Sequence, residues 1–429
     1  MSGRADERVV VTGLGVIAPN GNGLDAFRSA LREGVSGIRH QLIMQENKFA
    51  CQVAGTPLGV DELAEQSFES DELLAMNMGH RYASLASVEA WRDAGFERPE
   101  RGDDRVDWDC GAILGTGVGG MDTTAGYVVP YTDAGRVRRL GSTAVEQVMA
   151  SGISARISGQ LGLGNQVTTN SSACSTGSEA IAMGTERIRR GLAKRMLCGG
   201  AEAASHYIWA GFDAMRVLCR DFNDAPEKAS RPMSASAGGF VPGSGAGVVL
   251  LESLSSARER GARIRAEVLG QAVNCGGHRG GGSMTAPNPE GVVRCVQSAL
   301  ADAGIDAAEI DLINGHLTAT TADPREISSW TKALGREPAD FPTITATKSL
   351  IGHALGAAGA IESVAAVLML EGGFAHPSVN CEDVHPEIAA YEPAIGHEMR
   401  ELPELRTVIK AGFGFGDVNA CLVLRKFED

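Results

Sequence analysis

Two segments rich in alanine and glycine constrain the fold of this chain more than any other feature of its sequence. Residues 177–190 and 356–371 each follow a short apolar strand and a turn of small residues, and each has the composition of a narrow helix. A narrow helix can lie close to neighbouring backbone in a buried layer. Because strand, turn and narrow helix recur in both halves of the chain, the pattern predicts an internal duplication.

The rest of the chain alternates between strand-like and helix-like segments. Apolar and β-branched runs, several of them ending at glycines, predict strands at residues 8–12, 111–117, 166–170, 196–202, 247–252, 264–268, 311–314, 342–346 and 419–425. Further helices are predicted at residues 255–261 and 292–303. This alternation predicts an α/β protein with a largely buried sheet. The chain has 429 residues, more than one hydrophobic core usually organises, so we expect two halves, residues 1–260 and 261–429.

Charge and composition argue against several classes of protein. The formal net charge of −14 argues against general nucleic-acid binding, which needs a positive surface. No run reaches the roughly 18 apolar residues that span a membrane, and no leader sequence is recognisable at the N-terminus. The nine cysteines are scattered without a CxxC pair, so neither a zinc site nor a redox dithiol is predicted. We therefore expect a cytoplasmic protein that does not insert into membranes.

One cysteine has distinctive surroundings. The segment 170–177, NSSACSTG, places Cys174 where a predicted strand turns into a narrow helix. The free N–H groups and positive dipole end of that helix are expected to lower the pKa of the Cys174 thiol. The same N–H groups could hold the oxyanion that forms when a thioester is attacked. The alternative is a cysteine buried only for packing.

Two histidines occupy matching places in the second half of the chain. His316 lies in the segment 314–318, NGHLT, and His353 ends the segment 348–353, KSLIGH. Each follows a predicted strand, where α/β proteins usually build their sites. Either histidine alone could be structural. A metal site is disfavoured because Cys174 and the histidines are distant in sequence and no carboxylate pattern accompanies them.

Four segments together resemble the signature segments of the β-ketoacyl-acyl-carrier-protein synthases I and II. In chain order they are residues 172–175, SACS; 314–316, NGH; 348–359, KSLIGHALGAAG; and 412–416, GFGFG. The similarity extends over nearly the whole chain. It implies a thiolase-like duplicated fold in which helix layers sandwich two mixed five-stranded sheets, a homodimer, and no cofactor. It also implies an acyltransferase that condenses a malonyl carrier, with loss of CO2, onto a cysteine-bound acyl group in fatty-acid or polyketide-type synthesis.

The resemblance also implies residue roles. The first half would carry the acyl-accepting nucleophile, Cys174, and the second half both catalytic histidines, His316 and His353, which would hydrogen-bond the extender's thioester oxygen. Lys348 and Glu362 would form a charged pair beside the site, and Phe415 would be a gating residue whose N–H joins the oxyanion hole. The residues implied for the substrate channel are Thr285, Thr318, Thr320 and Phe413.

Several positions depart from the family pattern. Leu317 replaces a glycine and is expected to add bulk beside the thioester channel. Asp417 is an additional acid that is expected to alter the motion of the Phe415 loop, and Ser234 replaces an aspartate, which predicts the loss of a structural ion pair.

The surface for the partner, an acyl carrier protein bearing phosphopantetheine thioesters, departs further. The segment 69–74, ESDELL, is acidic where the family is commonly basic, and it should repel an acidic carrier. A basic cluster formed by Arg136, Arg138 and Arg139 is predicted to take over the docking. The alternative for this cluster is a solvated surface loop.

Two other functions remain open from the sequence. A cysteine acyltransferase or thioester hydrolase would use Cys174 without condensation. A partner subunit that sets chain length for another synthase usually lacks the nucleophile, so the presence of Cys174, His316 and His353 argues against it.

Overall fold

The computed structural model describes residues 7–428. Residues 1–6 and 429, which include the start of the segment searched for a leader and the outer ends of the two predicted halves, lie outside the described residues. The strands are β1 Val9–Ala18, β2 Gly21–Asn22, β3 Ile38–His40, β4 Val53–Gly55, β5 Cys110–Gly115, β6 Val167–Thr168, β7 Arg195–Glu202, β8 Gly245–Ser253, β9 Ala266–Cys275, β10 Leu312–Asn314, β11 Thr343–Thr345, β12 Phe374–Ala375, β13 Arg400–Glu401, β14 Thr407–Gly414 and β15 Val418–Arg425.

The α-helices vary from single turns to long core helices. They are α1 Leu24–Glu33, α2 Leu42–Glu46, α3 Val60–Ser67, α4 Ser70–Leu74, α5 Met78–Asp93, α6 Met121–Thr123, α7 Val129–Asp133, α8 Ala144–Val148, α9 Gly152–Leu161, α10 Thr176–Arg189, α11 His206–Ala214, α12 Leu254–Glu259, α13 Pro289–Ala303, α14 Asp323–Leu334, α15 Lys348–Ile351 and α16 Ala358–Gly372. Short 3-10 turns precede α10 and α16, at Ala173–Ser175 and Leu355–Ala357.

Two groups of five strands form the main sheet, and their pairing repeats. The first half supplies the order β6-β5-β7-β8-β1 and the second half the order β11-β10-β14-β15-β9. In each group the first three strands are parallel and the last two pairings are antiparallel. The groups join edge to edge through a short pairing of β1 with β9. The predicted duplication with mixed five-stranded sheets is confirmed, and the two sheets are continuous with each other.

Helices α10 and α16 form the central layer. They contact each other and strands of both groups, whereas α5 and α9 cover the outer face of the first group and α13 that of the second. Close packing depends on small residues: a Cβ on Gly177 would lie 2.5 Å from the backbone nitrogen of Ala360. The segment Leu355–Gly372 is long and apolar enough to cross a membrane, but 89% of it is buried within the protein, as expected for a core helix.

Candidate active site

Cys174 lies on a tight turn at the start of α10. Ala173 adopts a left-handed backbone with φ of +48°, an uncommon conformation for a residue with a side chain. The Ser172 N–H donates to Thr176 Oγ1 at 2.7 Å, which braces the turn from within. Ser175 Oγ donates to the carbonyl oxygens of Gly412 and Val418, at 3.0 and 2.9 Å. The turn that carries Cys174 is thereby fixed against β14 and β15.

The two histidines are held through their backbones and rings. His316 follows β10, and its N–H donates to the buried Glu326 carboxylate at 2.7 Å, as does the Leu317 N–H at 2.8 Å. His353 follows α15, and its Nδ1 accepts the N–H of Leu355 at 3.2 Å. Because Nδ1 of His353 accepts a hydrogen bond, the proton of the neutral ring is on Nε2.

Cys174 and both histidines converge on one point. The Cys174 Sγ and one ring nitrogen each of His316 and His353 all lie within 4.8 Å of one another. The Nε2 of His353 is 3.1 Å from Sγ, and the two imidazole rings are 5.3 Å apart at 84°. These atom types are also those that bind Zn²⁺, but the buried ammonium group of Lys348 lies near them and opposes an added cation. The geometry suits a nucleophile beside two hydrogen-bond donors.

Burial controls the protonation of all three groups. It raises the pKa of the Cys174 thiol to about 11, opposed by the charge of Lys348 and by a hydrogen bond from the Phe415 N–H. The expectation of a lowered thiol pKa is therefore wrong, because desolvation outweighs the favourable groups. Burial, followed by the positive charge of Lys348, holds the pKa values of His316 and His353 well below the usual range for imidazole. Both rings are therefore neutral near pH 7.

A buried charged network lies beside the histidines. Lys348 forms a close ion pair with Oε1 of Glu362, and each of these residues is 2% exposed or less. Lys410, which is fully buried on β14, places its Nζ 2.7 Å from Oε2 of the same carboxylate. Lys348 and Glu362, predicted from sequence as a charged pair, form an ion pair, and their role in the reaction stays a prediction. Lys410 was not identified from the sequence.

Cys174 and the histidines face a cavity of about 390 Å³. The exposed residues Met215, Thr321 and Arg325 border it and mark its mouth. Every residue proposed for substrate contact borders the same space: Thr285, Thr318, Thr320, Phe413 and Phe415. The side-chain oxygens of Thr318 and Thr320 are 3.0 Å apart. Threonines thus form a polar part of the lining of the cavity that contains Cys174. Phenylalanines and other apolar residues form much of the rest.

Asp417 ties the Phe415 segment to a glycine-rich loop, residues 276–288. Its carboxylate is buried and accepts the N–H groups of His278 at 3.0 Å and Asn288 at 2.7 Å. The neighbouring Gly416 N–H donates to the Met284 carbonyl at 2.8 Å. The additional acid therefore joins two loops, one of which carries Phe415 and the other Thr285.

One expectation about departures from the family needs correction. The Leu317 side chain is fully buried in the core formed by β10, α13 and α14, and it does not border the cavity. Its bulk therefore does not narrow the channel; instead, its backbone is strained at φ of +25°.

Ser234 has a hydrogen bond where an aspartate could form an ion pair. Its hydroxyl donates to Asp383, and the ionic contacts of this segment are those of Arg231 with Glu382 at 2.9 Å and Asp383 at 3.2 Å.

The surfaces considered for docking are both exposed. Arg136, Arg138 and Arg139 lie on an exposed turn around Val137–Arg139, and none of them borders the cavity. The acidic helix α4 is partly neutralised, since Glu72 pairs with Arg98 and Asp71 with Arg101, each at 2.6 Å. The repulsion expected from this helix is thus weaker than its sequence alone indicates.

Comparison with known proteins gives concordant matches. Family models described as "Beta-ketoacyl synthase, N-terminal domain" and "Beta-ketoacyl synthase, C-terminal domain" match residues 6–257 and 265–382. The chain is 35% identical to 3-oxoacyl-[acyl-carrier-protein] synthase 1 of Escherichia coli K12, over 99% of this chain and 100% of that protein.

Solved structures are similar over the same extent. The ishigamide ketosynthase/chain length factor is 31% identical with a TM-score of 0.86, covering 99% of this chain and 100% of its own. A ketosynthase structure described as a type II PKS acyl-carrier protein in complex with its ketosynthase bound to the hexaketide is 27% identical with a TM-score of 0.86, covering 98% and 100%.

Proposed function

The chain belongs to the β-ketoacyl-acyl-carrier-protein synthase I/II family, and we propose that it forms carbon–carbon bonds with Cys174, His316 and His353. It is an acyltransferase that carries out condensation in fatty-acid or polyketide synthesis. The residue assignment rests on one observation above all, the convergence of Sγ and two ring nitrogens within 4.8 Å.

In the first half-reaction, Cys174 takes the acyl group from the carrier. Its sulfur attacks the thioester carbonyl, the carbon–sulfur bond to the carrier breaks, and the carrier leaves as a thiol with the proton that Cys174 has lost. The backbone N–H groups of Cys174 and Phe415 are proposed to hold the oxyanion. The Phe415 N–H already lies within hydrogen-bond reach of the sulfur, which supports this assignment.

In the second half-reaction, the extender enters as a malonyl thioester. Its carbon–carboxylate bond breaks, CO2 leaves, and the electron pair forms an enolate whose oxygen accepts hydrogen bonds from His316 and His353. The enolate carbon attacks the acyl carbonyl on Cys174, the new carbon–carbon bond forms, and the Cys174 thiolate is released. Neutral imidazoles suit this step because each donates a hydrogen bond to the enolate oxygen while carrying no net charge.

The division of labour between the halves follows the duplication. We propose that residues 1–260 supply the nucleophile and residues 261–429 both histidines. Cys174 precedes α10 and His353 precedes α16, and these two helices occupy corresponding places in the pattern. The mutual contact of α10 and α16 in the central layer supports a site built jointly by the two halves.

The acyl carrier protein is the partner, and we propose that it docks at Arg136, Arg138 and Arg139.

We also propose a homodimer that forms along β6, which is the edge strand of the first group and pairs with β5 alone among the described residues. The apolar side chain of Val145 on α8 is 71% exposed and supports an interface near this edge, since α8 contacts α9 and α9 contacts β6. A cytoplasmic location is supported by the chemistry, since a nucleophilic thiol must remain reduced.

Mass spectrometry of Cys174 after exposure to acyl-carrier thioesters tests the proposed function. We expect an acyl adduct on Cys174 that is discharged when malonyl carrier is added, with release of CO2. An adduct that persists, or that is lost to water without CO2, would instead indicate acyl transfer without condensation.

A further inference from the structure

Lys410 lies beside the ion pair of Lys348 and Glu362, although no pattern in the sequence identifies it as functional. It is on β14, two residues before the GFGFG segment, and its side chain is fully buried. Its Nζ lies 2.7 Å from Oε2 of Glu362, whose other oxygen pairs with Lys348. One buried carboxylate is therefore shared by two buried ammonium groups.

The shared carboxylate leaves a net positive charge beside the imidazoles. Burial lowers the pKa of Lys410, opposed by the charge of Glu362. With both lysines protonated, two cations and one anion do not balance, and burying an unbalanced charge is costly. Other charged and titratable groups around the network, among the described residues, are Glu326 on α14, Glu202 on β7, Cys421 on β15, His376 and Cys174 itself. The positive charge of Lys410 acts on both histidines in the same direction as burial and the charge of Lys348.

Resting on the proposed function, we propose that Lys410 is a positioning residue that couples decarboxylation to carbon–carbon bond formation by excluding protons from His316 and His353. The chemistry follows from the enolate. A neutral imidazole hydrogen-bonds the enolate oxygen and keeps its own proton. An imidazolium is acidic enough to transfer its proton to the enolate. The product is then an acetyl thioester, CO2 has been lost, and no carbon–carbon bond has formed.

Lys410 does not border the cavity, so it acts on the reaction only through its neighbours. Its ammonium group forms an ion pair with Oε2 of Glu362 while Lys348 pairs with Oε1, so the two lysines share one carboxylate. Removal of the Lys410 charge would leave Lys348 and Glu362 as a balanced pair. The pKa values of His316 and His353 would then rise, although burial and Lys348 still hold them down, so protonated rings would appear at a higher pH than in wild type.

The test compares CO2 with ketoacyl product. Wild type, Lys410→Met and the exposed control Lys332→Met are supplied with acyl carrier and labelled malonyl carrier at about pH 6 and about pH 8, which bracket the titration of an ordinary histidine. We expect wild type and the control to form the two products in equal amounts at both pH values. Lys410→Met is expected to release more CO2 than ketoacyl product at the lower pH, where protonated rings appear first, and to approach equality at the higher pH.

The double variant Lys410→Met/Glu362→Gln separates charge from packing. It removes one cation and one anion, so the positive charge of Lys348 is again unbalanced, and we expect coupling at about pH 6 to return towards that of wild type. A role for Lys410 in packing alone predicts that this variant is no better coupled than Lys410→Met. Folded Lys410→Met with equal amounts of both products at the lower pH would overturn the proposal.

A measurement on wild type keeps the proposal testable if Lys410→Met does not fold. Nuclear magnetic resonance of ring nitrogens in the whole protein reports the protonation of each histidine. The proposal predicts that His316 and His353 remain neutral well below the ordinary imidazole pKa of about 6.5, and protonation of either ring near that value would overturn it. If wild type forms no ketoacyl product, the proposed function itself fails, which is distinguishable from a loss of coupling confined to Lys410 variants.

Discussion

The Nε2 atom of His353 lies 3.1 Å from the Sγ atom of Cys174. The N–H of Leu355 occupies the other ring nitrogen, so His353 presents a proton to the sulfur rather than a lone pair. This tautomer excludes His353 as the base that deprotonates the resting thiol. The same tautomer allows His353 to donate a hydrogen bond first to the Cys174 thiolate and later to the enolate oxygen of the extender.

Substitution of the two histidines should separate the half-reactions. We expect His316→Ala and His353→Ala each to reduce condensation by about 10²–10³-fold, because removal of one donor from an anion site costs about 3–4 kcal/mol. Acyl transfer to Cys174 should be affected less, since its proposed oxyanion donors are backbone N–H groups and only the hydrogen bond from His353 to the sulfur is lost. Quenched-flow measurement of adduct formation and ketoacyl product on the same sample checks this. Equal losses in both steps would contradict it.

Glu326 should make stability depend on pH. Burial, followed by the nearby charge of Asp323, raises its pKa in the folded protein to about 7 from 4.5. Because the folded-state pKa is raised, this group contributes stability in full below about pH 4.5 and loses it progressively as the pH rises towards 7. In Glu326→Gln, the free energy of unfolding should therefore fall by a few kcal/mol less than in wild type over this pH range. Urea unfolding at several pH values measures it, and an unchanged slope in Glu326→Gln would contradict it.

The Asp417 carboxylate should stabilise the loop beside the cavity. Asp417→Ala leaves the N–H groups of His278 and Asn288 without their acceptor, which should lower the free energy of unfolding by about 1–3 kcal/mol. Hydrogen exchange should accelerate in residues 276–288 and around Phe415. Asp417→Asn is the matched control, since its remaining oxygen retains one acceptor and should give a smaller effect. Unchanged exchange in Asp417→Ala would show that the two loops are held by other contacts.

The basic cluster should contribute to carrier docking through its charge. We expect replacement of Arg136, Arg138 and Arg139 by alanine to raise the KM for the carrier severalfold and to weaken its salt dependence. Replacement of all three by lysine keeps the charge and is the matched control. Steady-state rates over a range of ionic strength check the prediction. An alanine variant with unchanged KM and salt response would place docking elsewhere.

Much of the fold and the central triad could be predicted from the sequence because their signals are local. The narrow helices, the turn that carries Cys174 and the position of His316 after a strand can each be recognised from a short segment. His353 was also expected at a strand end, but helix α15 separates it from β11. The prediction that these residues meet at one cavity came only from the family resemblance, since Cys174 and His316 are far apart in the chain. The structure adds the symmetric pairing order of the strands that brings them together.

The features that could not be predicted are those set by surroundings from distant segments. Lys410 lies within an apolar strand, and its partner Glu362 comes from α16, so no local pattern identifies the pair. Leu317 follows His316 directly, yet its side chain turns into the core because the backbone is left-handed there. The pKa of Cys174 likewise follows from total burial rather than from its place at the start of a helix.

The most direct test of the account is a two-stage mass measurement of the intact protein. Incubation with acyl carrier should add one acyl mass at Cys174, and subsequent malonyl carrier should remove it with equal amounts of CO2 and ketoacyl carrier. The double variant His316→Ala/His353→Ala should retain the adduct through the second stage. If Cys174→Ala were acylated as well as wild type, or if the histidine variant discharged its adduct at the wild-type rate, Cys174 and the two histidines would not form a single condensing site.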